Sequence, residues 1–269
     1  MSNSLSKMIK KLIPSYRMGE KIFAQNEELL REIAVLRKEQ EALREQQERL
    51  MTEVLAIGWQ HLGRFLTYTA AMETSKYIID NMGKVPRFEN KYDLLSYVLE
   101  GIPETDGLFL EFGVYSGDTI NHISFRRKDV KVYGFDSFEG LPETWRSGYE
   151  QGTFNKEDGW PEVNPNVELV QGWFDASLPN FLESHEGVCR FIHVDCDLYS
   201  STMTVLELLR KRMIPGTVIV FDEYFNYPGW QQGEYKALED FCKKSGIIFE
   251  YIGYSMIEQA AVRIVANRG

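Results

Sequence analysis

The stretch LFLEFGVYSGDT, residues 108–119, decides how the rest of the chain is read. An apolar run, Leu108 to Leu110, meets Glu111 and then a turn containing Gly113 and Gly117. That order describes a buried strand whose carboxyl end opens into a ligand-binding loop, with a helix starting near Asp118. Glycine lets the backbone turn tightly and come close to a ligand, and the first turn of the helix offers unpaired N–H groups. The pattern is E-x-G-x-x-x-G. It departs from the dinucleotide fingerprint G-x-G-x-x-G and sets a carboxylate where a pyrophosphate would be repelled and an ammonium group welcomed. S-adenosylmethionine carries such a group, so Glu111, Gly113, Tyr115, Ser116, Gly117 and Thr119 become candidate cofactor contacts.

Working outward from this strand, short apolar runs alternate with helical stretches after Ile102-Pro103, the pattern of a mostly parallel sheet with helices on both faces. Strands are expected near 108–112, 131–135, 167–170, 190–194 and 217–221, with a closing antiparallel pair inside IIFEYIGYSMIEQAAVRIV, which makes seven. Ligands in such sheets bind beyond the carboxyl ends of the strands. Those ends read Glu111, Asp136, Gln171, Asp195 and Asp222, five polar residues in equivalent places. Asp136, followed by Ser137, is expected to accept hydrogen bonds from the ribose hydroxyls of an adenosine ligand. Gln171-Gly172-Trp173-Phe174 ends the third strand with an aromatic pair able to stack on a purine.

Towards the N-terminus the periodicity changes. Ile22, Leu29, Leu36, Leu43 and Leu50 recur at heptad position d, with Asn26, Ile33, Gln40, Gln47 and Val54 at a. No Pro or Gly interrupts residues 21–57, so one long helix and a coiled-coil seam are expected, and with them a homo-oligomer. The polar a residues weaken the seam while restricting its register. At the very start, Met8, Ile9, Leu12 and Ile13 alternate with Lys7, Lys10, Lys11 and Arg17, a pattern that could rest on an anionic membrane surface. The expected organisation is a helix and coiled coil over 1–57 and a catalytic domain over 58–269, with a helical cap at 58–106. The irregular, aromatic-rich stretch 139–166 is long enough to be a lid over the acceptor.

Composition bounds the function. With 269 residues and 43% hydrophobic content the chain can bury a large core. The net charge of −10 is concentrated after residue 50, where 20 Lys+Arg face 32 Asp+Glu, and this argues against a nucleic-acid partner. Three widely spaced cysteines without a C-x-x-C pair fit a reducing cytoplasm, and no apolar run is long enough for a membrane span.

The sharpest cluster is HVDCDLYSST, residues 193–202, with FDEY, residues 221–224. If the two strands are neighbours, Asp195, Asp222 and Glu223 converge, and three carboxylates that close repel unless a cation joins them. All-oxygen ligands point to a hard ion, Mg²⁺ first. His193 reads as a packed strand residue.

The segments LEFGVYSGDTI, VYGFDSFEGLPE, QGWFDASLP, FIHVDCDLYSST and PGTVIVFDEYFNYPGW resemble the macrocin O-methyltransferase group of bacterial sugar methyltransferases, which includes the noviose-methylating enzyme. The resemblance implies a class I Rossmann-like methyltransferase that uses S-adenosylmethionine and Mg²⁺ on a sugar hydroxyl. It further implies that Glu111, Gly113 and Gly117 line the methionine end, Asp136 the ribose, and Trp173 and Phe174 the adenine. Asp195, Asp222 and Glu223 then correspond to metal ligands and Asp197 to the general base, while Tyr199, Tyr224 and Tyr227 are expected at the acceptor. The heptad segment departs from the antibiotic-tailoring members, so a polysaccharide or lipid-linked glycan stands beside a small glycoside as acceptor. Two rivals are a nicotinamide-dependent oxidoreductase, which the missing G-x-G-x-x-G disfavours, and a coiled-coil scaffold with a non-catalytic nucleoside-binding domain.

Overall fold

A computed structural model of the chain describes residues 5–8, 11, 14–103, 105–156 and 159–267. Contacts divide it into two compact units, Met1–Phe65 and Leu66–Gly269. The first is dominated by helix α1 (Pro14–Gln60), uninterrupted as the heptads require. The helix runs on through the expected boundary at 57/58, Gly58 included, and contacts divide the chain at 65/66 instead. Ile9, Lys10, Leu12 and Ile13 of the amphipathic start lie outside the described residues, as do the side chains of Arg17 and Val54. Among the described residues no helix is long and apolar enough to cross a membrane.

Helix α2 (Leu62–Asn81) leads to a two-residue strand β1 (Arg87–Phe88) and helix α3 (Lys91–Glu100), which Asn90 caps by accepting from the Asp93 N–H. Strands β2 (Leu108–Phe112), β3 (Val132–Asp136), β4 (Val167–Gln171), β5 (Cys189–Val194) and β6 (Met213–Phe221) follow, with helices α4 (Asp118–Arg126), α5 (Phe174–Ser184) and α6 (Tyr199–Leu209) after β2, β4 and β5 and the irregular stretch 137–166 between β3 and β4. Helix α7 (Glu234–Ser245) precedes the antiparallel pair β7 (Ile247–Ser255) and β8 (Ala260–Asn267). The sheet has eight strands in the order β1-β7-β8-β6-β5-β2-β3-β4. The strand beyond the expected seven is β1, which pairs with β7 through Arg87 and Phe88; two residues carry no readable period.

Both faces of the sheet are dry. Leu110, Phe112, Ile192, Val194, Ile219 and Phe221 pack on one side against α5, α6 and α7, while Phe109, Phe191, Val218 and Val220 pack on the other against α3 and α4. Continuous apolar strands are what a doubly covered parallel sheet demands. Each such side chain contributes about 1.5–3 kcal/mol by leaving water. From β2 the chain steps outward through β3 and β4, then crosses to β5 on the other side of β2. The strand order therefore reverses between β2 and β5, where doubly wound sheets open a binding crevice.

Candidate active site

At this reversal the backbone ladder runs one residue past each strand. The N–H of Gly113 donates to Phe135 O, that of Asp195 to Phe112 O, that of Asp222 to Val194 O and that of Gly172 to Asp136 O, each at 2.9 Å. The carboxyl ends are thus held side by side, and the residues following them surround one cleft of about 660 Å³. Gly113 is required at the floor. Its φ is 90°, and a Cβ there would lie 1.8 Å from the carbonyl oxygen of Asp195. Gly113→Ala is expected to destabilise the fold by about 2–4 kcal/mol through overlap and an unfavourable φ. Urea denaturation measures this; an unchanged midpoint would show that β2 and β5 can part at the switch point.

One end of the cleft is the nucleoside side of the sequence reading. Gly113, Tyr115, Ser116, Thr119, Asp136, Ser137, Trp173 and Phe174 all line it, whereas Gly117, Gln171 and Gly172 shape the turns behind it. The Asp136 carboxylate is already engaged: Oδ2 accepts from the N–H groups of Val114 (2.8 Å) and Tyr115 (2.9 Å), and Oδ1 from that of Phe138 (2.7 Å). It therefore braces the glycine loop as well as facing the cleft. Tyr115, Phe138 and Asp197 hold left-handed φ angles of 43°, 58° and 61° around this floor, a concentration of backbone strain usual at binding sites.

Glu111 does not face the cleft. It is fully buried, and its Oε1 lies 2.9 Å from His193 Nδ1 on the next strand. The reason is register: Glu111 pairs with His193 across β2 and β5, so both side chains leave the sheet on the same side. Of the Glu111 carboxylate expected to meet an ammonium group, Oε1 is thus engaged by His193, while Oε2 is buried without a hydrogen-bond partner. His193 is a packed strand residue whose ring joins two carboxylates, since Nε2 stands 3.4 Å from Asp222 Oδ1, near enough for an ion pair.

The other end of the cleft is acidic. Asp195, Asp197, Asp222, Glu223 and Glu258 line it against two cations, Lys91 and Arg146. Two overlapping groups offer ligand atoms within 4.8 Å of one another: His193, Asp195 and Asp222, and Asp195, Asp197 and Glu223. The expected trio Asp195, Asp222 and Glu223 is thus split between two sets that share Asp195. Lys91 reaches Asp222 Oδ2 at 3.3 Å, and the Gln259 amide donates to the same oxygen at 3.3 Å. Glu234, the first residue of α7, accepts from the N–H groups of Cys196 (3.3 Å) and Glu223 (3.1 Å) and so fastens the two acidic strand ends together.

Burial pushes the Asp195, Glu223 and Glu234 carboxyls well above the usual range, and mutual repulsion adds to it. Burial also lifts Asp197, to about 7, against the pull of Arg146. Asp222 ends below the usual range: burial would raise it, but His193 and Lys91 stabilise its charge more. Burial would lower His193, yet Asp222 and Glu111 hold it up, to about 10. Asp222 Oδ1 and Glu223 Oε2 nevertheless remain buried without a hydrogen-bond partner. Desolvated carboxylate oxygens crowded at one end of a cleft, Asp222 Oδ1 with only the His193 ring at 3.4 Å and Glu223 Oε2 with no donor, are what a hard divalent ion satisfies, so the donor set fits Mg²⁺.

The three tyrosines expected at the acceptor lie elsewhere. Tyr224 is fully buried, its hydroxyl 2.6 Å from that of Tyr251. Tyr227 is buried against Trp145, and Tyr199, at the start of α6, donates a hydrogen bond to Asp240 of α7. The stretch 139–166 supplies the aromatic wall instead. Trp145, Tyr149 and Phe154 line the cleft, with the Arg146 guanidinium stacked 3.8 Å from the centre of the Trp145 ring. Lys91, 131 residues from its partner Asp222, together with Arg146, Glu234 and Gln259, carried no local signal.

Comparison with known proteins fits this geometry. Residues 110–224 match the family described as a methyltransferase domain. The fold is that of a Rossmann-like methyltransferase. Two curated relatives are 8-demethyl-8-(2,3-dimethoxy-alpha-L-rhamnosyl)-tetracenomycin-C 4'-O-methyltransferase of Streptomyces olivaceus and demethyldecarbamoylnovobiocin O-methyltransferase of Streptomyces niveus. The first is 27% identical over 175 residues, covering 55% of this chain and 63% of the relative. The second is 26% identical over 161 residues, covering 51% and 60%. The chain thus spans about three-fifths of the length of these relatives, and their names support the resemblance to the macrocin group. Among solved structures, a calicheamicin methyltransferase matches with a TM-score of 0.50 and 23% identity, over 64% of this chain and 76% of that one. The O-methyltransferase NovP matches with a TM-score of 0.50 and 20% identity, over 65% and 79%. Both share the fold of this methyltransferase-like unit.

Proposed function

We propose that the protein is an S-adenosylmethionine- and Mg²⁺-dependent O-methyltransferase acting on a sugar hydroxyl of a glycoside, polysaccharide or lipid-linked glycan. The observation that carries this reading is the convergence of Asp195, Asp197, Asp222 and Glu223 in the same cleft as the glycine loop and Asp136. A nucleoside pocket next to an acidic, hard-cation site serves methyl transfer to an oxygen; hydride transfer has no use for the carboxylates.

In this reading Gly113, Tyr115, Ser116, Thr119, Asp136, Ser137, Trp173 and Phe174 bind and orient the cofactor, whose sulfonium methyl is already activated. Asp195, common to both groups of ligand atoms, would hold Mg²⁺ together with Asp222 from one group and Glu223 from the other, and the ion when bound would lower the pKa of a coordinated hydroxyl. Lys91 and Gln259 keep the other Asp222 oxygen fixed. Asp197, two residues from Asp195 and in the same cleft, takes the proton from the acceptor hydroxyl. Trp145, Tyr149 and Phe154 offer faces on which a sugar ring can lie and keep water out. The alignment of methyl and oxygen that these contacts impose is the main source of rate.

Isothermal titration with S-adenosylmethionine and with NAD, followed by turnover on glycan acceptors, tests the proposal. Saturable binding of the first alone and methylated product are expected. Binding of NAD would overturn the cofactor assignment, and tight S-adenosylmethionine binding without turnover on any glycan would favour a nucleoside-binding scaffold.

A further inference from the structure

Among the described residues, helix α1 carries a long apolar stripe that is exposed. The d residues Ile22, Leu29, Leu36, Leu43 and Leu50 are 51–62% exposed, and Ile33 at a is 38% exposed, on one continuous helix. A helix that holds such a seam in water is stable only when the seam is covered. The identity of the cover is written in the flanking positions. With these d residues, g is occupied by Glu32 and Glu39 and e by Arg37 and Arg44.

We infer that residues 22–54 pair with the same residues of a second copy of this chain as a parallel, in-register, two-stranded coiled coil. In a parallel pair each g residue meets the e residue five positions on in the partner helix, so Glu32 faces Arg37 and Glu39 faces Arg44, twice each by symmetry. An antiparallel pair would instead set glutamate against glutamate and arginine against arginine. Leucine at d with β-branched Ile33 at a selects two strands, and Asn26 at a pairs with itself only when the register is kept. Arg44 lies 3.4 Å from Glu48 in its own helix, but both are highly exposed, and such a pair yields readily to a partner across the seam. The inference is independent of the methyltransferase reading, since it uses no residue of the cleft.

Sedimentation of the full-length protein tests it. The parent chain should run as a dimer at micromolar concentration. Glu32→Lys with Glu39→Lys, and separately Arg37→Glu with Arg44→Glu, should each weaken the dimer at least about tenfold, and an equimolar mixture of the two should restore it. Asn26→Cys in a Cys242→Ser background reports direction: oxidation should give a disulfide-linked dimer that the Cys242→Ser chain alone, whose Cys189 and Cys196 are buried, does not form. A monomeric or trimeric parent, charge reversals without effect, or absence of the Asn26→Cys cross-link in a sedimenting dimer would each overturn the parallel two-stranded pairing.

Discussion

Asp197→Asn is expected to slow methyl transfer roughly 10²–10⁴-fold, the range over which a positioned general base acts. The amide keeps the shape and the left-handed backbone at this position, where φ is 61° and Asn is among the residues that tolerate it. What is lost is the ability to take a proton. Cofactor affinity should change little, because the glycine loop and Asp136 belong to β2 and β3 while Asp197 follows β5. Single-turnover rates of methyl transfer to the glycan acceptor measure the effect. A near-parental rate would assign the proton to another acceptor and leave Asp197 as a brace of the acidic cluster.

Removal of divalent ions by excess chelator should abolish turnover, with recovery on adding Mg²⁺ or Mn²⁺. The physical basis is the charge at one end of the cleft: Asp195, Asp197, Asp222, Glu223 and Glu258 line that end against Lys91 and Arg146, and Glu223 Oε2 is buried with no donor. Such a site binds an acceptor hydroxyl poorly until the charge is compensated. Asp222→Asn should produce a comparable loss while leaving S-adenosylmethionine affinity within a few-fold. The new amide can still accept from Lys91 through its carbonyl, so a loss that the fold survives reports on the cation site. Full activity in excess chelator would sink the metal assignment and leave Lys91 and His193 as the cluster's internal counter-charges.

The comparison of strand ends and side chains shows where local sequence information stops. Apolar runs bounded by turns placed β2 through β6 within a few residues, and the alternation of runs with helical stretches implied the parallel sheet and its switch-point cleft. Asp136, Asp195, Asp197, Asp222 and Glu223 do line that cleft, because they stand at or just past the carboxyl ends of parallel strands, where the reversal of strand order opens the crevice. Heptads fixed α1 in the same local way.

Facing direction was a different matter. Glu111 ends an apolar run as Asp195 nearly does, yet cross-strand register turns it into the sheet toward His193. Tyr224 and Tyr227 follow the acidic pair directly, but the chain dives there and buries both rings. Lys91, Glu234 and Gln259 reach Asp222 and Glu223 from α3, α7 and the turn before β8. The amino-acid pattern by itself determined the sheet, the long helix and the acidic edge of the cleft, since these follow from periodicity and turn chemistry over a few residues. Only the tertiary structure decided which carboxylates are tied and by what, because that depends on register and on side chains brought together across stretches of chain from 11 to 131 residues long.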